Sequence, residues 1–160
     1  MPKSLAILLA TLPIVSLEAQ STIDAATAMN MINGCAAHAK SKGQSHAIAV
    51  VDAGGHQVAT WRMDGNAPGI MEFALQKAAA VAYWRFSTEQ METSAKATPG
   101  FANAPRVVTV PGGIPVFSKD GATFLGAVGV SGEAAQDDVA CARAAVTSAG
   151  LSLAPSPRSK

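Results

Sequence analysis

His46-Ala47-Ile48-Ala49-Val50-Val51-Asp52, then Ala53-Gly54-Gly55-His56, then Gln57-Val58-Ala59-Thr60-Trp61-Arg62 is the stretch that decides the fold. Two short runs rich in apolar and β-branched residues flank a Gly-Gly turn, which is a β-hairpin signature. Upstream, Asp24 to Lys42 carries Ala25, Met29, Ile32, Ala36 and Ala39 at the spacing of one helical face. Ser21, Thr22 or Asp24 can cap that helix, and Gly43 can end it. Downstream, Gly69 to Phe86 lacks strand alternation and is charged only at Glu72, Lys77 and Arg85. It reads as a helix apolar nearly all round, which predicts cover on more than one side.

Ser87-Thr88-Glu89 can start a further short helix reaching about Lys96, and a loop follows from Thr98 to Pro105. Three more apolar runs are Val107 to Val110, Ile114 to Ser118 and Thr123 to Val130, separated by Pro111-Gly112-Gly113 and Lys119-Asp120-Gly121. A last helix reads from Glu133 to Ala149 and stops at Gly150; residues 151–160, with Pro155 and Pro157, read as a frayed tail. The order α-β-β-α-α-β-β-β-α, with tight turns between strands, predicts an α+β domain within the α/β class. Its sheet is expected to be five-stranded and mostly antiparallel, with helices on its faces, because parallel neighbours need helical crossovers.

A length of 160 residues suits one domain with a substantial core. Apolar residues are 49% of the chain and charged ones 14%, which argues against disorder and points to surface buried between copies, hence a homo-oligomer. The formal charge of +1 comes with no Lys/Arg cluster, so neither nucleic acid nor an anionic membrane is an expected partner. A small molecule or another copy of the chain is. Lys3, the apolar run Leu5 to Val15 and the polar Glu18-Ala19-Gln20 read as an export signal over residues 1–19, which places the mature protein in the periplasm or outside the cell.

Five motifs stand in order. They are Ile48 to His56, Arg62-Met63-Asp64-Gly65, Gly112-Gly113-Ile114-Pro115, Gly126 to Gly132, and Gln136-Asp137. In sequence and spacing they resemble the GlcG/HbpS-like family, once grouped as a domain of unknown function, over a domain taken as residues 20–150. The resemblance implies a five-stranded antiparallel sheet between helices, often assembled into octamers. It also implies haem as a ligand of some relatives, with no settled activity for others. After Lys77-Ala78, where the family usually continues Arg-Thr, this chain has Ala79-Ala80, which makes that wall more apolar.

Lys77 sits mid-helix among apolar residues, where an unpaired ammonium would cost several kcal/mol. It needs either a protein carboxylate, with Asp52, Asp64 and Asp137 as natural partners, or a ligand acid met across a cleft. Arg62 ends a strand, where it can hold a carboxylate or haem propionate, or pair with Asp64 or Asp137. Met63 fits a core filler or a soft axial ligand to iron. The histidines His38, His46 and His56 form no compact metal motif. Family resemblance makes His38, on the first helix, the first candidate for haem-iron ligand, ahead of His56 and His46.

Trp61, Phe73, Tyr83, Trp84 and Phe86 supply aromatic planes that fit a core, an interface or haem. Glu133, Asp137 and Asp138 begin the last helix, where they favour its dipole and repel an anion. An alternative class is an enzyme acting on a carboxylated catabolite, an isomerase or lyase, with Lys77 and Asp137 as acid and base and Arg62 holding the substrate. Cys35 and Cys141 lie on the first and last helices; Cys141 points away from the Val139/Ala142/Val146 stripe, which favours two separate thiols over a bridge.

Overall fold

A computed structural model describes residues 21–157; the expected export signal, residues 1–19, lies outside them, as do residues 158–160. Helix α1 (Ala25–Lys42) leads into the hairpin β1 (Ala47–Asp52) and β2 (Gln57–Arg62). Helices α2 (Pro68–Trp84) and α3 (Thr88–Ala97) follow, then β3 (Gly113–Phe117), β4 (Phe124–Ser131) and α4 (Ala135–Ser148). The strands form one antiparallel sheet in the order β2-β1-β4-β3.

The sheet has four strands rather than the expected five. Val107 to Val110 forms no strand; Val107 and Val108 pack instead on the α2 side of the core. Two features explain this. Arg106 turns the chain with φ 59° just before the run, and Pro111 ends it with no amide hydrogen to donate to a neighbouring strand. A four-residue apolar run has too little length to distinguish a strand from a segment laid onto a hydrophobic surface.

Strand alternation sorts the core into two layers. Ile48 and Val50 of β1 point to the face covered by α1 and α4, while Ala47, Ala49 and Val51 point to α2. The α2 layer is built on small residues, and the helix comes very close to the sheet at Gly129. A Cβ there would stand 2.1 Å from the Ala74 carbonyl oxygen and 2.6 Å from the Ala78 nitrogen. Gly129→Ala is therefore expected to cost at least about 2 kcal/mol by overpacking, read as a lower urea midpoint with an unchanged slope.

Helix α1 begins where Asp24 accepts the Thr27 amide at 2.7 Å and ends at Gly43 in the left-handed region, φ 66°. Its buried face is Ala28, Met31, Ile32, Cys35 and Ala39, one step around from the stripe read from sequence, so Met29 is exposed. Both stripes share Ile32 and Ala39; what selects the buried one is Cys35, which is bonded to Cys141 of α4 with the two Cα atoms 4.7 Å apart. The expectation of separate thiols fails because α4 is covered on two sides: Cys141 and Ala145 are buried as fully as Ala142 and Val146. Segment 151–157 is anchored rather than frayed. Phe117 and Ser152 exchange backbone hydrogen bonds at 2.9 and 3.1 Å, and Leu151 and Leu153 pack against the core.

Candidate functional site

One end of the sheet carries three buried ionisable residues, His46, Lys77 and Asp138. Lys77 reaches from α2 to the end of β4, and its Nζ donates to Asp138 Oδ2 and to the Val130 carbonyl, both at 2.9 Å. Gly112 permits this route, since a Cβ there would stand 2.9 Å from Nζ. The other carboxylate oxygen, Asp138 Oδ1, accepts the Glu133 amide at 3.2 Å and lies 3.1 Å from His46 Nδ1. Lys77 and His46 have no exposed surface and Asp138 almost none, and the ammonium also lies 4.9 Å from the Phe73 ring centre. The cluster ties α2, β1 and α4 together around the sheet's end.

Burial pulls the Lys77 pKa below the ordinary lysine value of 10.5, while the Asp138 carboxylate opposes that shift through its hydrogen bond and its charge. Between the lowered value and 10.5 the unfolded chain holds more protons than the folded one. This group therefore makes stability rise with pH across that window, and the contribution is lost as pH falls through the lowered value. In Lys77→Met that part of the slope is expected to vanish from a series of unfolding curves taken through the alkaline range.

Beside the cluster, α1 and the edge strand β2 frame an open groove of about 490 Å³. Asn33, Ala36, Ala37 and Lys40 line it from α1, Gly43 and Gln44 from the following loop, and Trp61 and Met63 from the end of β2. Its walls are mainly apolar. Trp61 is 43% exposed, large for an indole, and the Gln44 Oε1 atom is buried without a hydrogen-bond partner. Met63 joins the groove to the buried cluster: its sulfur accepts the His46 amide at 3.5 Å, and its own amide donates to the His46 carbonyl at 3.0 Å.

The residues singled out from sequence do not converge on one point. Met63 lines the groove, and Arg62 beside it is exposed and donates to the Asn66 carbonyl rather than to Asp64 or Asp137. Lys77 meets Asp138, not Asp52, Asp64 or Asp137, and its amine faces protein rather than a cleft. Asp137 is half-buried on the first turn of α4. His56 is highly exposed at the hairpin turn, at the opposite end of β2 from Arg62, 3.4 Å from Asp52. His38 is half-buried on α1, about 150° around the helix from the middle of the face that lines the groove.

Two residues thus organise the site: His46, which the sequence ranks behind His38 and His56, and Asp138, which is absent from the sequence's candidate partners for Lys77. Asp138 falls four residues before Ala142 and eight before Val146, so the α4 stripe extended back one turn reaches it. Among the described residues no group of three or more His, Cys, Asp or Glu is arranged to hold a metal ion, and no helix is long and apolar enough to cross a membrane.

The family model described as "Haem degrading protein HbpS-like" matches residues 23–147. Protein GlcG of Escherichia coli strain K12 is 38% identical over 96 residues, 58% of this chain and 69% of GlcG. Among solved structures, a protein titled ORFY from Klebsiella pneumoniae superposes with a TM-score of 0.74 at 26% identity, over 87% of this chain and 97% of that one. The PduOC:heme complex gives 0.75 at 20% identity, over 83% of this chain and 99% of that one. A double mutant of HbpS from Streptomyces reticuli gives 0.72 at 24% identity, over 89% and 97%.

Proposed function

We propose, from the premise that the chain belongs to the HbpS-like family, that it binds haem or a related tetrapyrrole in the groove between α1 and β2. The observation that carries this reading is the groove itself. Its volume lies in the range of small-molecule sites, its walls are mainly apolar, and Trp61 presents an aromatic plane at its rim. Lys40 in the wall is a cation of the right sign for a propionate, and the Met63 thioether adds polarisable surface. Support at the level of the family comes from its haem-degrading description, and support for the fold's capacity to hold the group comes from the relative crystallised with heme. Bound there, haem would bring redox chemistry at iron.

Iron ligation is a separate part of the proposal. His38 is its candidate, and because it sits on another flank of α1 it reaches a groove-bound haem only from a second copy of the chain. Binding is thereby linked to oligomerisation. The mature protein is proposed to work in the periplasm or outside the cell, and the Cys35–Cys141 bridge supports an oxidising compartment.

Hemin titration followed in the Soret region tests the reading. Trp61→Ala is expected to weaken binding at least about tenfold by loss of apolar contact, and Lys40→Glu by about threefold or more. His38→Ala is expected to move the Soret band more than it changes the affinity. Equal affinity in wild type, Trp61→Ala and Lys40→Glu would remove the groove from the account.

The enzyme reading is disfavoured on geometry, since Lys77, Asp137 and Arg62 do not face a common cavity in one chain.

A further inference from the structure

His46 is held in an unusual way. Its ring is fully buried, one ring nitrogen faces a carboxylate, and the other, Nε2, is buried with no hydrogen-bond partner. An ionised carboxylate only accepts hydrogen bonds, so Nδ1 carries the proton and donates to Asp138, which leaves Nε2 as a bare acceptor. Asp138 already neutralises Lys77. A proton added to Nε2 would put a second cation against a single buried carboxylate and create a buried donor with nothing to accept it. Both effects are costly away from water.

Movement of residue 46 relieves both. Its backbone is fastened to Met63 twice, by the amide to the sulfur and by the carbonyl to the Met63 amide, and Met63 is a wall of the groove with Trp61 two residues away. The charged groups around the ring are few. From α4 comes Asp138, and behind it Lys77 from α2; Glu133, at the approach to α4, has its carboxylate on the Ser45 amide at 2.9 Å. From α1 comes Lys40, in the groove wall. From the end of β2 come Arg62, on the Asn66 carbonyl, and Asp64, whose carbonyl takes the Ser45 hydroxyl.

We propose that His46 is a positioning residue for the groove: held by the Lys77–Asp138 pair, it fixes Met63 and the end of β2, and its protonation loosens that wall so that a ligand held there is released in acid. The proposal rests on the groove being the binding site, and its test has one arm that does not.

In the first arm, hemin affinity is measured from about pH 7.5 to about pH 5.5. Wild type is expected to lose about tenfold or more, and His46→Asn, which keeps a donor for Asp138 but cannot take up the proton, less than about threefold. In the second arm no hemin is added. In a Trp84→Phe background the emission of Trp61 is followed over the same range. It is expected to change with pH in the parent, and to stay flat in His46→Asn and in Met63→Leu, which keeps the bulk but loses the sulfur. Circular dichroism at each pH checks that the variants are folded.

Parallel pH profiles in parent and variants, in either arm, overturn the role given to His46. Absence of hemin binding overturns the groove reading alone, and the emission arm then decides the role of His46. Should His46→Asn fail to fold, Met63→Leu decides it: a pH response retained without the sulfur overturns the coupling.

Discussion

Reduction of the Cys35–Cys141 bridge is expected to lower the free energy of unfolding by about 4 to 5 kcal/mol. The bridge spans 106 residues, most of the folded domain, so it removes a great deal of freedom from the unfolded chain. For a loop of about 100 residues the chain-entropy relation gives roughly 4.7 kcal/mol. Against a total stability of about 5 to 15 kcal/mol for an ordinary domain, that is a large share. Both cysteines are fully buried, so a reductant acts only when the domain opens, and oxidised protein should resist it under native conditions. Paired guanidinium unfolding curves, one after reduction in denaturant and refolding with the thiols kept reduced, measure the difference. A loss below about 1 kcal/mol would mean that packing of α1 on α4, not the covalent link, sets their register.

Lys77→Met is the second large effect, an expected loss of about 3 to 5 kcal/mol. The substitution keeps most of the side-chain volume but leaves Asp138 buried with His46 Nδ1 and the Glu133 amide as its remaining partners. Removing both charges should be milder than removing one, because the double variant Lys77→Met/Asp138→Leu pays no desolvation for an orphaned ion. Recovery of more than half the loss in the double variant is the expected result. Additive losses would show that the ammonium and carboxylate act independently, contrary to their 2.9 Å pairing.

The frame of the fold was legible because its signals are periodic or punctuated. The Gly-Gly turn after Asp52 located the hairpin, and the structure completes the signal by directing the Gly54 and His56 amides onto Asp52 Oδ1 at 2.8 and 2.9 Å. Ser87 starts α3 through a reciprocal cap with Gln90, as its position suggested. The miscounted strand had a different cause. Val107 to Val110 has the composition of a strand, but a four-residue run is too short to show whether it pairs into a sheet or lies on a hydrophobic surface, and here Val107 and Val108 lie on the α2 side of the core. The turned buried face of α1 shows the same limit, since two stripes fit the period and the bond from Cys35 to a cysteine 106 residues away goes with the buried one.

The site was less legible than the fold. A mid-helix lysine rightly demanded a buried anion, yet the partner lies 61 residues away on another layer, and no local pattern fixes that distance. By sequence His46 ranks low because it opens a strand. Alternation with Ile48 and Val50 nevertheless puts it on the α1/α4 face, where a carboxylate is waiting. The groove could not be read at all, because it arises where α1 and the edge strand fail to close on each other.

Locating iron by anomalous scattering in crystals grown with hemin tests the central claim most directly. The expected position is in the groove, with the macrocycle against Trp61 and Met63 and a propionate toward Lys40. Iron bound beside His56 at the hairpin turn, or where Gln76 of α2 meets Arg106 and Val107, would contradict it.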